Sequence, residues 1–267
     1  MDTAAWNPAQ YLLFGDARLR PGFELLARVG ELPLGPLYEL GCGTGAHARA
    51  IAERWPDRRV VAIDHSPAML AEARATPAPA NLAWDEADID SWTASSAPAA
   101  LIFSNAALHW LPHPRRLFAR LMRELAAAGI LAVQMPNNFD APSHRLIRDL
   151  ALMPRYRTKL ASLTEPGGVL RDDLVQAPDF YYDVLAPLAT GGVDLWRIEY
   201  LMPLEGGRPV LEWLKGSILR PVLERLDPAE RGPFEDALAV RLAEAYPRRD
   251  DGITLLPFRR LFFVARR

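Results

Sequence analysis

Cysteine is almost missing from this chain: among 267 residues there is one, Cys42. A lone cysteine excludes a disulfide within the chain, a pattern that suits a reducing cytoplasm. Long apolar runs are missing too, since no stretch reaches the ~18 residues that a membrane-spanning helix requires. The opening residues Met1 to Trp6 carry neither a basic nor an apolar segment, so no secretory leader is expected. An excess of one charge is also absent. The 31 basic and 33 acidic residues leave a net charge of −2, without the positive field that nucleic-acid binding needs. The arginine pairs Arg58-Arg59, Arg115-Arg116, Arg248-Arg249, Arg259-Arg260 and Arg266-Arg267 are read as solvated surface. No internal repeat or low-complexity linker appears. With 50% hydrophobic and 24% charged residues, the composition is that of a globular protein.

What the chain does have is one dense stretch, Tyr38-Glu39-Leu40-Gly41-Cys42-Gly43-Thr44-Gly45. The apolar run Leu34, Leu37, Tyr38, Leu40 reads as a buried strand. The stretch Ala46 to Trp55 has helical spacing of Ala48, Ile51, Ala52 and Trp55. Strand, glycine-rich turn and helix in that order bring backbone N–H groups close to a ligand at a helix start. The spacing is E-x-G-x-G-x-G. It lacks the G-x-x-G step of a dinucleotide fingerprint, and no lysine follows as in a Walker A loop. Cys42 is read as a small residue in the turn rather than a nucleophile.

Three further strand ends carry polar residues. Arg59 to Asp64 is an apolar run ending in an acid 19 residues past Gly45, placed to accept from two ribose hydroxyls. Ser66 can cap the next helix, Pro67 suits its first position, and Met69 lies where an adenine ring could rest. Asn81 to Trp84 is a third strand, followed by an acidic loop in which Asp88 and Ile89 are adenine-side candidates. Ala99 to Ser104 is a fourth, entirely apolar strand that runs into Asn105-Ala106-Ala107-Leu108-His109-Trp110. Arg116 to Ala128 is expected as an amphipathic helix closed by Gly129, and Ile130 to Pro136 as a fifth strand.

The fold class expected is α/β: a doubly wound, mostly parallel seven-stranded sheet with a helical lobe over the carboxyl ends of the strands. Residues 1–33 form an N-terminal helical segment or lid that includes a helix from Arg20 to Val29. Residues 34–136, 193–202 and 253–267 form the core sheet. Residues 137–192 and 203–252 form the lobe, with helices over Ser143 to Leu163, from Tyr181, over Pro209 to Leu226 and over Ala229 to Tyr246. Ligands of such sheets bind beyond the strands' carboxyl ends, where Glu39, Asp64, Asp88 and Asn105 all fall.

The series Glu39-x-Gly41-x-Gly43-x-Gly45, Asp64 with Ser66-Pro67-x-Met69-Leu70, Asp88, and Asn105-x-x-Leu108-His109-Trp110 resembles the class I methyltransferases. More narrowly, nearly the whole chain is similar to the trans-aconitate 2-methyltransferase family. That similarity includes Trp6-Asn7-Pro8-x-x-Tyr11, Leu131 to Pro136, Tyr181-Tyr182-Asp183, Leu219-Arg220-Pro221 and Phe262-x-Val264-Ala265-Arg266-Arg267. The resemblance implies a Rossmann-like fold, S-adenosylmethionine as methyl donor, S-adenosylhomocysteine as product, and ester formation on a small polycarboxylate. It implies cofactor contacts from Glu39, Gly41, Gly43 and Gly45 at the turn and from Asp64, Asp88 and Asn105. Cys42, His65, Met69, Ile89 and Trp110 beside them are further cofactor-side candidates. Residues 162–178, Thr190-Gly191-Gly192 and Ser217 depart from the family pattern, which leaves the acid itself open.

A carboxylate, with an ordinary pKa of ~4, is ionised at neutral pH, so this transfer needs no general base and no metal. It needs alignment and cations that grip carboxylates, a task arginine suits. The substrate candidates are Arg220 beyond Trp213, Arg20, the hydroxyls of Tyr11, Tyr181 and Tyr182, and His109; Arg148 and Arg259 are weaker. A small-molecule acid is the expected partner, with no membrane, nucleic acid or obligate protein partner. The alternatives are a methyltransferase acting on a hydroxyl, amine or carbon, with His109 as base, and a non-enzymatic module that senses the cofactor.

Overall fold

The computed structural model describes residues 15–94 and 97–267. In chain order the elements are α1 (Gly15–Arg28), β1 (Leu37–Leu40), α2 (Ala46–Arg54), β2 (Val60–Asp64), α3 (Pro67–Ala75), β3 (Leu82–Glu86) and β4 (Ala99–Asn105). Next come α4 (Pro114–Glu124), β5 (Leu125–Pro136), α5 (Pro142–Ala151), α6 (Pro154–Leu160) and α7 (Pro178–Leu185). The chain finishes with β6 (Val193–Leu204), α8 (Pro209–Lys215), α9 (Arg220–Arg225), α10 (Pro228–Ala245) and β7 (Thr254–Arg266). Seven of these helices begin on a proline, whose fixed φ suits the first turn and whose missing N–H costs nothing there.

One seven-stranded sheet has the order β3-β2-β1-β4-β5-β7-β6. The strands β1 to β5 are parallel, and β7 runs antiparallel between β5 and β6. The chain steps outward from β1 in one direction, then returns and steps in the other. This leaves a crevice above β1 and β4, the topological switch point where such sheets take ligands. On one face α1 and α2 pack Leu25, Leu26 and Ile51 onto Leu37, Phe103, Ala132 and Phe262. On the other, Phe118 and Leu121 of α4 and Tyr181 and Leu185 of α7 cover Ile102, Leu131, Val133 and Phe263. A separate apolar cluster joins α5, α6 and α8 to α10 with Met202, Leu204 and Leu256 at the ends of β6 and β7.

Several local expectations shift. β1 starts at Leu37, while Leu34 is exposed. β3 is an edge strand with partly exposed side chains, not one buried on both faces. The helix expected through Ala128 ends at Glu124, because Leu125 already pairs with Ala99 and β5 begins there. Gly129 is therefore a strand residue rather than a helix stop. The expected helix over Ser143 to Leu163 is interrupted before Pro154, and the one over Pro209 to Leu226 is split by a turn at Gly216 to Leu219. α7 lies on the sheet, not in the lobe, since its apolar face meets Phe118 and Phe263.

Candidate functional site

The turn after β1 is built from three left-handed glycines: Gly41 at φ 76°, Gly43 at 53° and Gly45 at 79°. A side chain at Gly41 would put its Cβ 2.2 Å from the Cβ of Ala107, and one at Gly45 would lie 2.2 Å from the Trp84 ring. At Gly43 a Cβ would meet nothing within 4 Å, so the backbone there borders open space. Gly41 N and Cys42 N both donate to Ile63 O, at 2.8 and 2.9 Å, which pins the turn to β2. Arg49 of α2 donates to the carbonyls of Thr44, Ala73 and Pro77 and lies over the Trp84 ring, tying the turn to α3.

Asp64 ends β2 with both oxygens engaged. Its Oδ2 accepts from Gly43 N at 2.8 Å and its Oδ1 from Ser66 N at 2.9 Å. The carboxylate is thereby locked beside the turn, with lone pairs left for another donor. Ser66 caps α3 through Met69 N, which leaves Met69 buried at the start of that helix. In the loop after β3, Asp88 Oδ1 accepts from Asp90 N at 2.9 Å, and the Ile89 side chain reaches the neighbourhood of Gly41. His65 is exposed, with Nδ1 3.7 Å from Asp64 Oδ1, and Trp110 is partly exposed beside His109.

Glu39 is almost completely buried under the turn. Its Oε1 lies 3.6 Å from His47 Nδ1, and its Oε2 has no hydrogen-bond partner among the described residues. The Oδ1 of Asn105 at the end of β4 is likewise buried without a partner. Two orphaned acceptors and the open approach at Gly43 fit a ligand with an ammonium group and hydroxyls. They could hold the amino-acid end of S-adenosylmethionine, with Asp64 beside its ribose. Burial pushes the Cys42 thiol well above its usual range, so Cys42 supplies no thiolate.

The acceptor-side candidates separate in space. Tyr11 lies outside the described residues. Arg20 is exposed, bonds Glu24 at 2.6 Å and lies over the ring of Tyr200. The Tyr181 hydroxyl accepts from Gln176 N at 3.0 Å, while its ring is packed between Phe118 and Phe263, so it is a core residue. Tyr182 is exposed. Trp213 is buried under the guanidinium of Arg18, and Arg148 donates to Phe139 O. Arg220 is paired with Glu224 at 2.8 Å, in a mixed-charge cleft lined by α8, α9 and α10 residues. Arg259 is paired with Asp140 on the surface.

His109 is buried beside Phe139, just beyond the end of β5. Burial, helped by the charge of Arg260, pushes its pKa down to about 3. Arg260, Gln134 and Asn138 are buried polar residues of the same region that no motif singles out. Arg260 belongs to an arginine pair expected to be solvated. On a strand, neighbours point to opposite faces, so one arginine of the pair has to face inward. Gln134 is the single polar residue in the run Ile130 to Met135, which is the one local signal for it.

Sheet order, turn and acid-ended strands together define a class I S-adenosylmethionine-dependent methyltransferase. A family model described as a methyltransferase domain matches residues 37–129. Trans-aconitate 2-methyltransferase of Streptomyces avermitilis is 45% identical, covering 98% of this chain and 96% of that one. The enzyme of the same name from Methylobacterium nodulans is 42% identical over 99% of both chains. Among solved structures, the YcgJ protein from Bacillus subtilis shares the fold with a TM-score of 0.56 at 11% identity, covering 93% of this chain and 98% of that one. The chain belongs to the trans-aconitate 2-methyltransferase family.

Proposed function

We propose that the protein transfers a methyl group from S-adenosylmethionine to one carboxylate of a small polycarboxylic acid such as trans-aconitate, giving a monomethyl ester. The donor, when bound, supplies a methyl carbon activated by its sulfonium. The chain's part is to hold both partners. Glu39 and Asn105 take the ammonium end of the donor, Asp64 the ribose hydroxyls, and Asp88 with Ile89 and Met69 the adenine. Full-length similarity to enzymes of that name supports the acceptor.

The observation that carries the reading is the state of His109. With its pKa near 3 it is neutral at physiological pH and too weak a base to deprotonate a hydroxyl or an ammonium. A carboxylate asks for no such base, being ionised already with an ordinary pKa of ~4. What remains is alignment, and proximity of this kind supplies ~7–11 kcal/mol. A cytoplasmic setting accompanies this reading, supported by the free, buried Cys42. No described helix is long and apolar enough to cross a membrane.

The test is incubation with methyl-labelled donor and a panel of small acids, alcohols and amines. Base-labile label on trans-aconitate or a similar polyacid is the expected result. Label found only on alcohols or amines would overturn the proposal.

A further inference from the structure

A row of polar side chains crosses four strands on one face of the sheet. Glu39 of β1 is in register with Phe103 of β4, and Asn105 stands two residues further along β4. Asn105 is in register with Gln134 of β5, and Gln134 with Phe262 of β7; Arg260 stands two residues from Phe262. Paired residues, and residues two apart, share a face, so Glu39, Asn105, Gln134 and Arg260 all lie on the face covered by α1 and α2. The row has a sign at each end. The acid lies by the glycine-rich turn and the arginine lies where the sheet turns antiparallel.

The arginine end is lined with unused hydrogen-bonding capacity. Gln134 is fully buried, and neither its Nε2 nor its Oε1 has a partner among the described residues. Both ring nitrogens of His109 and the Oδ1 of Asn138 are in the same condition. Asn138 precedes Phe139, whose ring centroid is 5.9 Å from that of His109. The charge of Arg260 reaches His109, and the guanidinium lies 4.3 Å from the centroid of the Phe258 ring. Buried polar atoms are seldom left without a partner, whether protein, water or ligand.

Resting on the polyacid reading above, we infer that Arg260, Gln134 and His109 form a subsite for a second carboxylate of the substrate, the one that is not methylated. Guanidinium N–H groups, the Gln134 amide N–H and the N–H of a neutral His109 all donate, and a carboxylate offers only acceptors. The opposite end of the row carries Glu39, which repels an anion and attracts an ammonium. The row therefore sorts the two ligands, donor toward Glu39 and acid toward Arg260. It also selects for polyacids, since a monoacid that presents its one carboxylate to the methyl has nothing left for Arg260. The order further limits the reaction to one ester, because the gripped carboxylate points away from the methyl.

The experiment pairs two measurements on wild type, Arg260→Met, Arg260→Lys and Gln134→Met. One is calorimetric binding of tricarballylate, a saturated triacid, to the protein loaded with S-adenosylhomocysteine. The other is KM for trans-aconitate against a monocarboxylic acid. Losing one partner of a buried charged pair predicts a loss on the order of 100-fold for Arg260→Met with the triacid, and little change with the monoacid. Arg260→Lys is expected to recover part of that loss. Gln134→Met is expected to lose on the order of tenfold. Affinity for S-adenosylhomocysteine alone should stay within about twofold throughout, because Glu39 and the turn are untouched. Equal triacid binding by wild type and Arg260→Met overturns the subsite and leaves the polyacid reading standing. A parallel loss of S-adenosylhomocysteine binding overturns it too, as a folding effect. Absence of triacid binding to wild type overturns both.

Discussion

At the scale of single residues, Glu39 and His47 form a buried acid–imidazole pair under the turn. Burial raises the pKa of Glu39, and His47 works against that rise. Burial alone would lower His47, but its bonds to Glu39 and to Leu19 O carry it above its ordinary value. The His47 Nε2 lies 3.0 Å from Leu19 O, and a carbonyl only accepts, so this nitrogen carries a proton. The ring thus braces α1 against the floor of the turn. Gly22 makes room for it, since a Cβ there would lie 2.3 Å from Nε2. Replacing the imidazole leaves a lone buried carboxylate, which takes up a proton and loses the charge that attracts an ammonium. His47→Phe is therefore expected to weaken S-adenosylhomocysteine binding by about tenfold at neutral pH, in line with the loss of a hydrogen bond to a charged group. Calorimetry from pH 6 to 9 checks it. The sign of the pH effect follows from the raised pKa: the wild-type advantage is largest where the folded His47 is charged and fades as pH rises through its raised folded value. Equal affinity of wild type and variant across that range would remove His47 from the account.

At the scale of elements, the start of β5 shows how the chain departs from simple periodicity. Leu125 pairs with Ala99 and Ile130 with Leu101, so β5 accommodates three more residues than β4 in that interval. The excess is absorbed by Ala128, held at φ 62°, and Gly129. The C-terminus clamps this kink: Ala128 N donates to Arg267 O at 2.7 Å and Arg267 N to Gly129 O at 2.9 Å. A left-handed alanine is strained by ~1–2 kcal/mol, partly offset by the greater entropy that a glycine loses on folding. Ala128→Gly should stabilise the fold by roughly 0.5–1 kcal/mol. Gly129→Ala should do the reverse, because its Cβ would lie 2.7 Å from Ala99 O and 2.9 Å from Ala126 O. A loss of about 1–3 kcal/mol is expected there. Thermal and urea unfolding of the two variants would contradict the geometry if both moved the same way.

At the scale of the whole molecule, the proposed acceptor subsite borders the junction of β5 and α5, and that seam is also where acid should act first. His109 and His144 both pack against Phe139 at the junction of β5 and α5. Burial pushes both pKa values down, His109 to about 3 and His144 to about 4, with Arg260 and Arg148 adding to the effect. An unfolded chain protonates these imidazoles near their ordinary value of 6.5, while the folded chain does not. As pH falls below that value, the unfolded state binds up to two more protons and stability drops. The slope contributed by the pair is at most ~2.7 kcal/mol per pH unit, reached between about pH 6 and 4. Urea unfolding at several pH values between 4 and 7.5 should show this fall, and His144→Asn should flatten it. A stability independent of pH over that interval would count against two buried neutral histidines.

The linear chain was enough to place the polar residues at the strand ends to which the donor site is assigned in our proposal. Glu39, the glycines at 41, 43 and 45, Asp64, Asp88 and Asn105 are each set by a local rule: an apolar run, its end, and the turn chemistry after it. Such rules act over a few residues and so are readable in one dimension. The proposed acceptor side was not readable that way. Arg220, Arg20 and Tyr181 look suitable by neighbourhood, yet each has a nearby partner, Glu224, Glu24 or Gln176 N, although Nη1 of Arg220 stays buried without one among the described residues. Arg260, Gln134 and His109 come from segments far apart in the chain. Only the insertion of β7 antiparallel beside β5 brings Arg260 next to Pro136 and diagonal to Gln134. That register is a property of the packed sheet, where burial on both faces decides which of two adjacent arginines loses its water.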